Sequence, residues 1–372
     1  MRQAQSKAGS APEAPLGLPA RLRLGPALWL AGDGAWEAAA RELESWPQPL
    51  GLLGEAGLLK RFRQPLGSAF LEGGLQVELL AQPDGTDCDA AALEALLQQA
   101  KPRNVRGLIA FGGGRMLDLG KLAAQRAGWR LATLPSSAAT CACASGVAVQ
   151  NSGGAYAGVL DLGAPAELCA VEMPALRAAP PRLLAAGLAD TLAKWLEWRA
   201  VEGSPGFFGA GAGWALARLA AETVEALGAE AMRAAGAGPA GGPGNAALDA
   251  CLEACLLHSA VASCAGEAPA AAAHSLANAL TRQAAGRGLL HGEAVGLGLL
   301  WQEALLKGVE RENMELPRLR ALLHAWKLPV ALPPGLDLDR LCADALAVDE
   351  SVHLLGLGLD LGAARRHLPV DA

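Results

Sequence analysis

Two hydrophobic patterns divide the chain. In the first half, short apolar runs alternate with segments whose leucines recur at helical spacing. The apolar runs predict four strands, at residues 48–54, 75–81, 105–114 and 130–137. Residues 87–101 predict a helix that Asp87 or Asp89 can cap. Strands that alternate with helices are typical of βαβ units, so this half is expected to form a mostly parallel sheet.

The pattern changes near residue 180, after which apolar residues recur at helical spacing. The predicted helices cover residues 179–202, 213–227, 245–264, 268–282, 291–307 and 314–326, with a glycine-proline loop at 236–244. We therefore expect an α/β domain over residues 21–178 and an all-α domain over residues 179–372. Residues 1–20 lack an apolar run and predict a flexible tail.

Composition excludes several classes of protein. Hydrophobic residues make up 52% of the 372 residues, which argues against global disorder. A net charge of −6 without a Lys/Arg-rich run argues against nucleic-acid binding. We see no continuous apolar stretch of about 18 residues, so no membrane span is expected. These features favour a cytoplasmic protein. The eight cysteines are expected to be reduced, because a chain of this length does not need a disulfide framework.

Three glycines, Gly112, Gly113 and Gly114, follow the strand predicted at 105–114. A helix is predicted to begin directly after them, so free N–H groups and closely approaching backbone would suit a pyrophosphate. The spacing GGGxxxDxxK differs from the dinucleotide and P-loop motifs, and a strand–helix turn without a ligand is an equally good interpretation. Asp118 and Lys121 lie one turn apart on this helix and could simply pair.

Asp190, His274 and His291 have the chemistry of a metal site. Each lies at or near the start of a predicted helix in the second half. One carboxylate and two imidazoles bind zinc or ferrous iron and leave a position open for substrate. A cation held in this way polarises a carbonyl or lowers the pKa of an alcohol. No local spacing links the three residues, and a lone histidine is more often a packing residue.

Two other groups of potential ligands are less persuasive. Cys251, Cys255 and His258 fall on one helix face, but the flanking residues are apolar and favour core packing. Cys141 and Cys143 form a CxC pair, which alone is a weak indication of metal binding.

Four segments occur in the order found in one enzyme family. They are GGGRMLDLGK (112–121), LPSSAATCACAS (134–145), GLADTLAKWLEW (187–198) and LLHGEAVGLGLL (289–300). From about residue 20 to the C-terminus, the chain resembles the iron-containing alcohol dehydrogenases and glycerol dehydrogenases. The dehydroquinate synthases share the fold but differ after the glycine loop. The resemblance implies a dehydroquinate synthase-like fold, in which a Rossmann-like N-terminal domain and an all-α domain enclose the active site.

The resemblance also implies roles for individual residues. Asp190, His274 and His291 match the metal ligands, and zinc is favoured over iron. NAD or NADP is the implied cofactor. The residues that match its binding site are Gly112, Gly113, Gly114, Asp118, Lys121, Ser136, Thr140 and Ser145. Glu55 follows the strand at 48–54, where an acidic residue accepts from ribose hydroxyls and disfavours a 2′-phosphate, which favours NAD.

Cys141 indicates a branch within this family. Glycerol dehydrogenases usually carry an Asp there, which contacts the polyol. The segments T-C-A and D-T-L-A-K-W resemble the hydroxycarboxylate dehydrogenases, which interconvert 2-oxo and 2-hydroxy acids. Lys194 lies four residues after Asp190 and shares its helix face, so it could bind a substrate carboxylate. Alternatively, Lys194 pairs with Asp190 or reaches solvent beside Glu197.

The sequence thus predicts a metal-dependent NAD(P) oxidoreductase that interconverts a small alcohol or 2-hydroxy acid with its carbonyl compound. A glycerol or polyol dehydrogenase is one alternative. A cyclase resembling dehydroquinate synthase is another, disfavoured because basic residues are sparse around the motifs. A non-catalytic relative is a third, disfavoured by the intact ligand set. Many relatives carry a second histidine one turn after the first, where this chain has Asn278, so a histidine relay is not expected. Apolar helix faces favour a homo-oligomer.

Overall fold

A parallel sheet lies in the first part of the chain. The computed structural model describes residues 23–72, 74–201, 210–237, 245–265, 270–307 and 314–370. The strands in these ranges are β1 (Leu28–Gly32), β2 (Leu50–Glu55), β3 (Val77–Gln82), β4 (Gly107–Gly112), β5 (Arg130–Pro135), β6 (Val147–Ser152), β7 (Ala155–Asp161) and β8 (Leu168–Glu172). Six of them form a parallel sheet in the order β1-β8-β5-β4-β2-β3, and β6 and β7 form a separate antiparallel hairpin. The predicted parallel sheet is confirmed.

The four predicted strands correspond to β2, β3, β4 and β5. The prediction missed β1, β8 and the hairpin. β1 and β8 have five residues each and pair with one another, so β1 depends on a strand that is distant along the chain. Short apolar runs of this kind do not distinguish a strand from a helix or a loop by periodicity alone.

Helices cover both faces of the sheet. They are α1 (Ala35–Leu43), α2 (Ala56–Arg61), α3 (Arg63–Leu66), α4 (Ala90–Ala100), α5 (Gly114–Ala127) and α6 (Met173–Arg177), with a π-helical turn at Gly67–Leu71. Successive residues of β4 point to opposite sides: Leu108 and Ala110 enter one hydrophobic cluster, while Ile109 and Phe111 enter the other. Both sides of the sheet are therefore core, as the continuous apolar run of this strand requires.

Every element after Glu172 in the described ranges is helical. These helices are α7 (Pro181–Ala200), α8 (Ala210–Gly236), α9 (Ala246–Glu253), α10 (Ser259–Cys264), α11 (Ala272–Thr281), α12 (His291–Leu305), α13 (Leu316–Ala325), α14 (Leu338–Ala345) and α15 (Leu361–Arg366). A π-helical turn at Ala254–His258 joins α9 to α10, and Ser351–Leu355 form a 3₁₀ helix. The predicted combination of an α/β part and an all-α part is confirmed. The exact division at residues 178 and 179 remains a prediction, as does the tail at 1–20, which lies outside the described residues.

The helical part buries most of its apolar residues. Cys251 and Cys255 are fully buried in the core, as their apolar flanks predict. All eight cysteines are free thiols. Residues Ala246–Cys264 form one helix that is long and apolar enough to cross a membrane, but 56% of it is buried inside the protein. This helix packs against α8, which is how a core helix of a globular protein behaves.

The order of the strands marks a place for a ligand. From β2 the chain moves to the edge strand β3, and then returns to β4 on the other side of β2. The strand order therefore reverses between β2 and β4, and ligands of open α/β sheets bind at the carboxyl ends of the strands at such a point. Here Glu55 ends β2 and Gly112 ends β4.

Candidate active site

Three helices bring Asp190, His274 and His291 together. Asp190 lies in the middle of α7, His274 lies in the first turn of α11, and His291 is the first residue of α12. Asp190 Oδ1 is 3.5 Å from Nε2 of His274 and 3.5 Å from Nε2 of His291. One donor atom from each residue lies within 4.8 Å of the others, which is close enough to share one ion.

The chemistry of these donors fits a divalent cation. Asp190 Oδ1 is buried and accepts no hydrogen bond, although a buried polar atom without a partner costs free energy. The side chain of His291 is 43% exposed, whereas that of Asp190 is 6% exposed, so the cluster opens to one side. One carboxylate and two imidazoles with an open side match a catalytic zinc or iron site.

Close helix packing places the two histidines. A Cβ on Gly292 would lie 1.8 Å from the carbonyl oxygen of Ala186, and one on Gly298 would lie 2.1 Å from that of Ala273. Only glycine permits these contacts, so α12 can touch both α7 and α11. Gly292, the residue after His291, thus sets how closely that imidazole approaches Asp190.

An ion pair fixes the start of α12. Arg182 Nε and Nη2 each lie 2.6 Å from an oxygen of Glu293, and Arg182 also donates to the carbonyl of Gly288. Glu293 accepts from the N–H of Leu290 at 2.8 Å. This bidentate pair ties the start of α12 to α7 and so positions His291. Sequence reasoning missed it, although an acidic residue in the first turn after a helix start is a recognisable signal.

Glu197 lies behind His274. Its side chain is fully buried, and Oε2 is 2.5 Å from Nδ1 of His274. Oε1 accepts from the backbone N–H groups of Ala271 and His274. The sequence interpretation treated Glu197 only as a neighbour of Lys194 near solvent. The available signal was its position two turns after Asp190, on the same helix face.

Charges within the cluster shift its pKa values. Burial alone would raise the pKa of Asp190, but Lys194 and the two histidines hold it well below its ordinary range. Burial alone would lower the pKa of His274, but the charge of Glu197, the nearby Asp190 carboxylate and the hydrogen bond to Glu197 raise it to about 9. Without a cation, the cluster therefore holds a proton on His274 between two carboxylates.

The glycine loop meets the loop that follows β5. Gly112 has φ +153°, a backbone conformation that residues with a side chain rarely adopt. Gly114 packs directly on Thr140. The N–H of Ser136 donates to the carbonyl of Gly112 at 3.0 Å. The structure thus brings the predicted cofactor residues of both loops to the carboxyl end of β4, beside the start of α5.

The sequence is similar to those of several known proteins. The model of the iron-containing alcohol dehydrogenase family matches residues 26–160. A glycerol dehydrogenase of Pseudomonas putida is 32% identical over 276 residues, which cover 73% of this chain and 72% of that protein. The chain belongs to the iron-containing alcohol dehydrogenase family. It is therefore an oxidoreductase of the alcohol dehydrogenase type, as the four ordered segments predicted.

Two further similarities, one in sequence and one in structure, concern the branch of the family and the fold. Hydroxycarboxylate dehydrogenase A of Escherichia coli is 31% identical over 176 residues, which cover 47% of this chain and 41% of that protein. The structure of a probable glycerol dehydrogenase of Sinorhizobium meliloti has a TM-score of 0.79, with 23% identity, and covers 92% of this chain and 95% of that chain. The dehydroquinate synthase-like fold is confirmed, and the family favours the predicted dehydrogenase over a cyclase.

Asp118, Lys121 and Ser145 form a buried network. Lys121 Nζ is 2.7 Å from Asp118 Oδ1, 3.1 Å from Ser145 Oγ and 2.5 Å from the carbonyl of Val147. Asp118 Oδ2 accepts from the N–H of Val149. The network ties α5 to β6, which agrees with a supporting helix. A direct contact with the cofactor remains a prediction for these three residues.

Lys194 and Cys141 lie near Asp190, one of the three potential metal ligands. Among the described residues, Lys194 Nζ has no hydrogen bond and no carboxylate within 4 Å, so the alternative of a direct pair with Asp190 is not observed. Burial would lower the pKa of Lys194, but the negative charges of Asp190 and Glu197 raise it. Burial raises the pKa of the Cys141 thiol, which is 9% exposed and remains neutral.

Glu55 shares the end of β2 with a second carboxylate. Glu55 accepts from the N–H of Gly85 at 3.0 Å, and Asp84 accepts from the N–H of Gly57 at 2.8 Å. Each acid therefore binds the segment that follows the other. Sequence reasoning singled out Glu55 and missed Asp84.

Asn278 connects α11 to Glu350. Asn278 lies one turn beyond His274 on α11, and its amide donates to Glu350 at 3.1 Å. Arg282 binds the other oxygen of Glu350 at 2.9 Å. The amide of Asn278 thus serves to bind Glu350, and the lack of a histidine relay remains a prediction.

Proposed function

We propose that this protein is a metal-dependent NAD dehydrogenase that interconverts a small 2-hydroxy acid with its 2-oxo acid. The observation that carries the reaction class is the convergence of Asp190, His274 and His291 around one point, with a buried Asp190 oxygen that accepts no hydrogen bond. A divalent ion held there would polarise the substrate oxygen, and NAD would exchange a hydride with the adjacent carbon.

The residues of the chain supply the rest of the site. Asp190, His274 and His291 would hold the ion, and Gly112, Gly113 and Gly114 would accept the pyrophosphate at the start of α5. The contact between Gly114 and Thr140 fixes the second loop against the first. Residues 136–145 would then position the nicotinamide, since hydride transfer requires a close and oriented approach.

Lys194 favours an acidic substrate. Its ammonium group has no partner among the described side chains and lies one helical turn from Asp190. A carboxylate beside the reacting carbon of a 2-oxo acid is a suitable partner for it. Cys141 is neutral, whereas the Asp of glycerol dehydrogenases would repel such a substrate. The likeness to hydroxycarboxylate dehydrogenase A supports the same substrate class.

Glycerol or a related polyol is the competing substrate, because several similar proteins are named glycerol dehydrogenases. A test compares a 2-oxo acid, an uncharged aldehyde and glycerol in the wild type and in Lys194→Ala. We expect KM for the 2-oxo acid to rise by about tenfold, the usual scale for a lost charge-assisted hydrogen bond, and KM for the aldehyde to stay within about twofold.

Lys101→Ala is the matched control, because Lys101 is exposed on a turn after α4. It should change neither KM. Cys141→Asp should weaken use of the 2-oxo acid and improve use of glycerol, because it places a negative charge beside Lys194. Equal effects of Lys194→Ala on acid and aldehyde would eliminate the acidic substrate and leave the polyol.

We also propose the cofactor preference, the metal, the cellular compartment and the oligomeric state. Glu55 and Asp84 favour NAD over NADP, and the nitrogen-rich donor set favours zinc over magnesium or calcium. Eight free cysteines agree with a reducing compartment such as the cytoplasm. Exposed apolar side chains such as Leu79, Val159 and Leu219 leave room for a homo-oligomer.

A further inference from the structure

Glu197 makes more contacts than a helix cap requires. It lies seven residues after Asp190 on α7, so both carboxylates are on one face of the same helix. One oxygen, Oε1, accepts from Ala271 N at 2.7 Å and from His274 N at 3.0 Å, which satisfies free N–H groups at the start of α11. The second oxygen, Oε2, has no role in this capping and lies 2.5 Å from Nδ1 of His274.

That second contact determines which nitrogen of His274 faces the cluster. An ionised carboxylate accepts hydrogen bonds and donates none, so Nδ1 must carry the hydrogen. The other nitrogen, Nε2, lies 3.5 Å from Asp190 Oδ1 on the side where the ligand atoms converge. In the neutral ring, the lone pair of Nε2 is thereby available to a cation.

We propose that Glu197 is the positioning residue of the metal site. It holds the ring of His274 in place, keeps hydrogen on Nδ1, and adds a negative charge behind the ligand. This inference rests on the proposed metal site and deepens it. Helix α7 thus supplies Asp190 as a ligand and Glu197 as the group behind another ligand, on opposite sides of one imidazole.

A purely structural role makes a different prediction. A cap needs one neutral acceptor, so Glu197→Gln can keep the hydrogen bonds to the backbone of α11. The amide nitrogen of Gln would then face Nδ1 of His274 and donate to it. That contact favours the tautomer with hydrogen on Nε2, which directs the hydrogen toward the metal position and opposes binding.

The experiment measures zinc affinity by competition with a chromogenic chelator, together with the melting temperature of each metal-free protein. Four proteins are compared: wild type, Glu197→Gln, Glu303→Gln and Asp190→Ala. Glu303 is the matched control, because it is a buried carboxylate of the same helical part that accepts from Met314 N and contacts no metal ligand. Glu197→Gln should weaken zinc binding by about 10- to 100-fold, the usual effect of losing such a partner.

The controls separate this inference from the proposed function. Glu303→Gln should bind zinc within about twofold of wild type, whatever its stability, and Asp190→Ala should bind it far more weakly than either. A wild type that binds no zinc or ferrous iron refutes the metal site itself. If the wild type binds zinc tightly and Glu197→Gln binds it equally well, the role of Glu197 is refuted and the metal site is not.

Glu197→Asp provides a second test if the Gln variant does not fold. Its carboxylate is one methylene shorter and withdraws from Nδ1 of His274 while it keeps its charge. Zinc should bind at least about threefold more weakly, a fraction of the effect expected for full loss of the contact. An unchanged affinity in a folded Glu197→Asp protein overturns the proposal.

Discussion

Asp190 Oδ1 lies 3.5 Å from His274 Nε2, on the side of the ring opposite to Glu197. His274 is thus held between two carboxylates that both belong to α7. In the metal-free protein these carboxylates favour an imidazolium ion over a neutral ring. A cation bound at the same place must therefore displace a proton from His274.

Zinc affinity should depend on pH for this reason. Burial opposes protonation of His274, but Glu197 and Asp190 prevail and raise its pKa to about 9 in the metal-free protein. Below that value a proton competes with the metal, so the apparent affinity should rise by about tenfold per pH unit as the pH increases toward 9. The pKa of Asp190 is held well below its ordinary range, so Asp190 adds no proton in this interval.

Zinc titrations between about pH 6.5 and 8.5, corrected for protonation of the competing chelator, measure this slope. Calorimetry in buffers with different ionisation enthalpies gives the number of protons released, which should approach one at about pH 7. A zinc affinity that is constant across the interval would show that His274 is neutral before the metal binds.

Loss of a ligand should separate catalysis from cofactor binding. His274→Ala removes an imidazole from the metal cluster but leaves the glycine loop intact, so turnover should fall by about three orders of magnitude or more, while NAD affinity stays within about threefold. Steady-state kinetics and NADH fluorescence titration measure the two effects. His324→Ala, an exposed residue near the end of α13, is the control and should leave both quantities unchanged. Wild-type turnover in His274→Ala would contradict the metal mechanism.

Preference for NAD should reside in two acids. Glu55 and Asp84 each bind the segment that follows the other, so we expect one acid to remain available to the ribose of NAD when the other is removed. Glu55→Gln should raise the ratio of kcat/KM for NADP over NAD by about tenfold, and addition of Asp84→Asn should raise it further. Glu78→Gln is the control, because Glu78 lies near the start of β3 and away from the carboxyl end of that strand. It should leave the ratio unchanged. A strong preference for NADP in the wild type would contradict the assignment of Glu55.

The approach of α12 to α7 should tolerate no added carbon. In Gly292→Ala the new Cβ would lie 1.8 Å from the carbonyl oxygen of Ala186, so the helices must separate. We expect unfolding free energy to fall by about 1–3 kcal/mol, and zinc affinity to fall because His291 moves with α12. Gly211→Ala is the control: this glycine lies in α8 with no atom within 4 Å of the added carbon, so stability should be equal or slightly higher. Chemical denaturation with and without zinc distinguishes the two variants.

Local patterns in the sequence determined much of the fold. The apolar runs of β2, β3, β4 and β5 and the helical spacing after residue 180 are properties of short segments, and the structure confirms them. The glycine loop and the four ordered segments could also be recognised from the sequence, because the residues of each motif lie close together along the chain. Together these motifs were sufficient to predict the family and the class of reaction.

Only the tertiary structure decided how distant side chains meet. Glu197, Arg182 and Asp84 have no local motif, and their roles depend on partners that lie far away along the chain. The pairing of β1 with β8 and the convergence of Asp190, His274 and His291 have the same origin. Periodicity shows which face of a helix is apolar, but packing decides which residue of another helix lies against it.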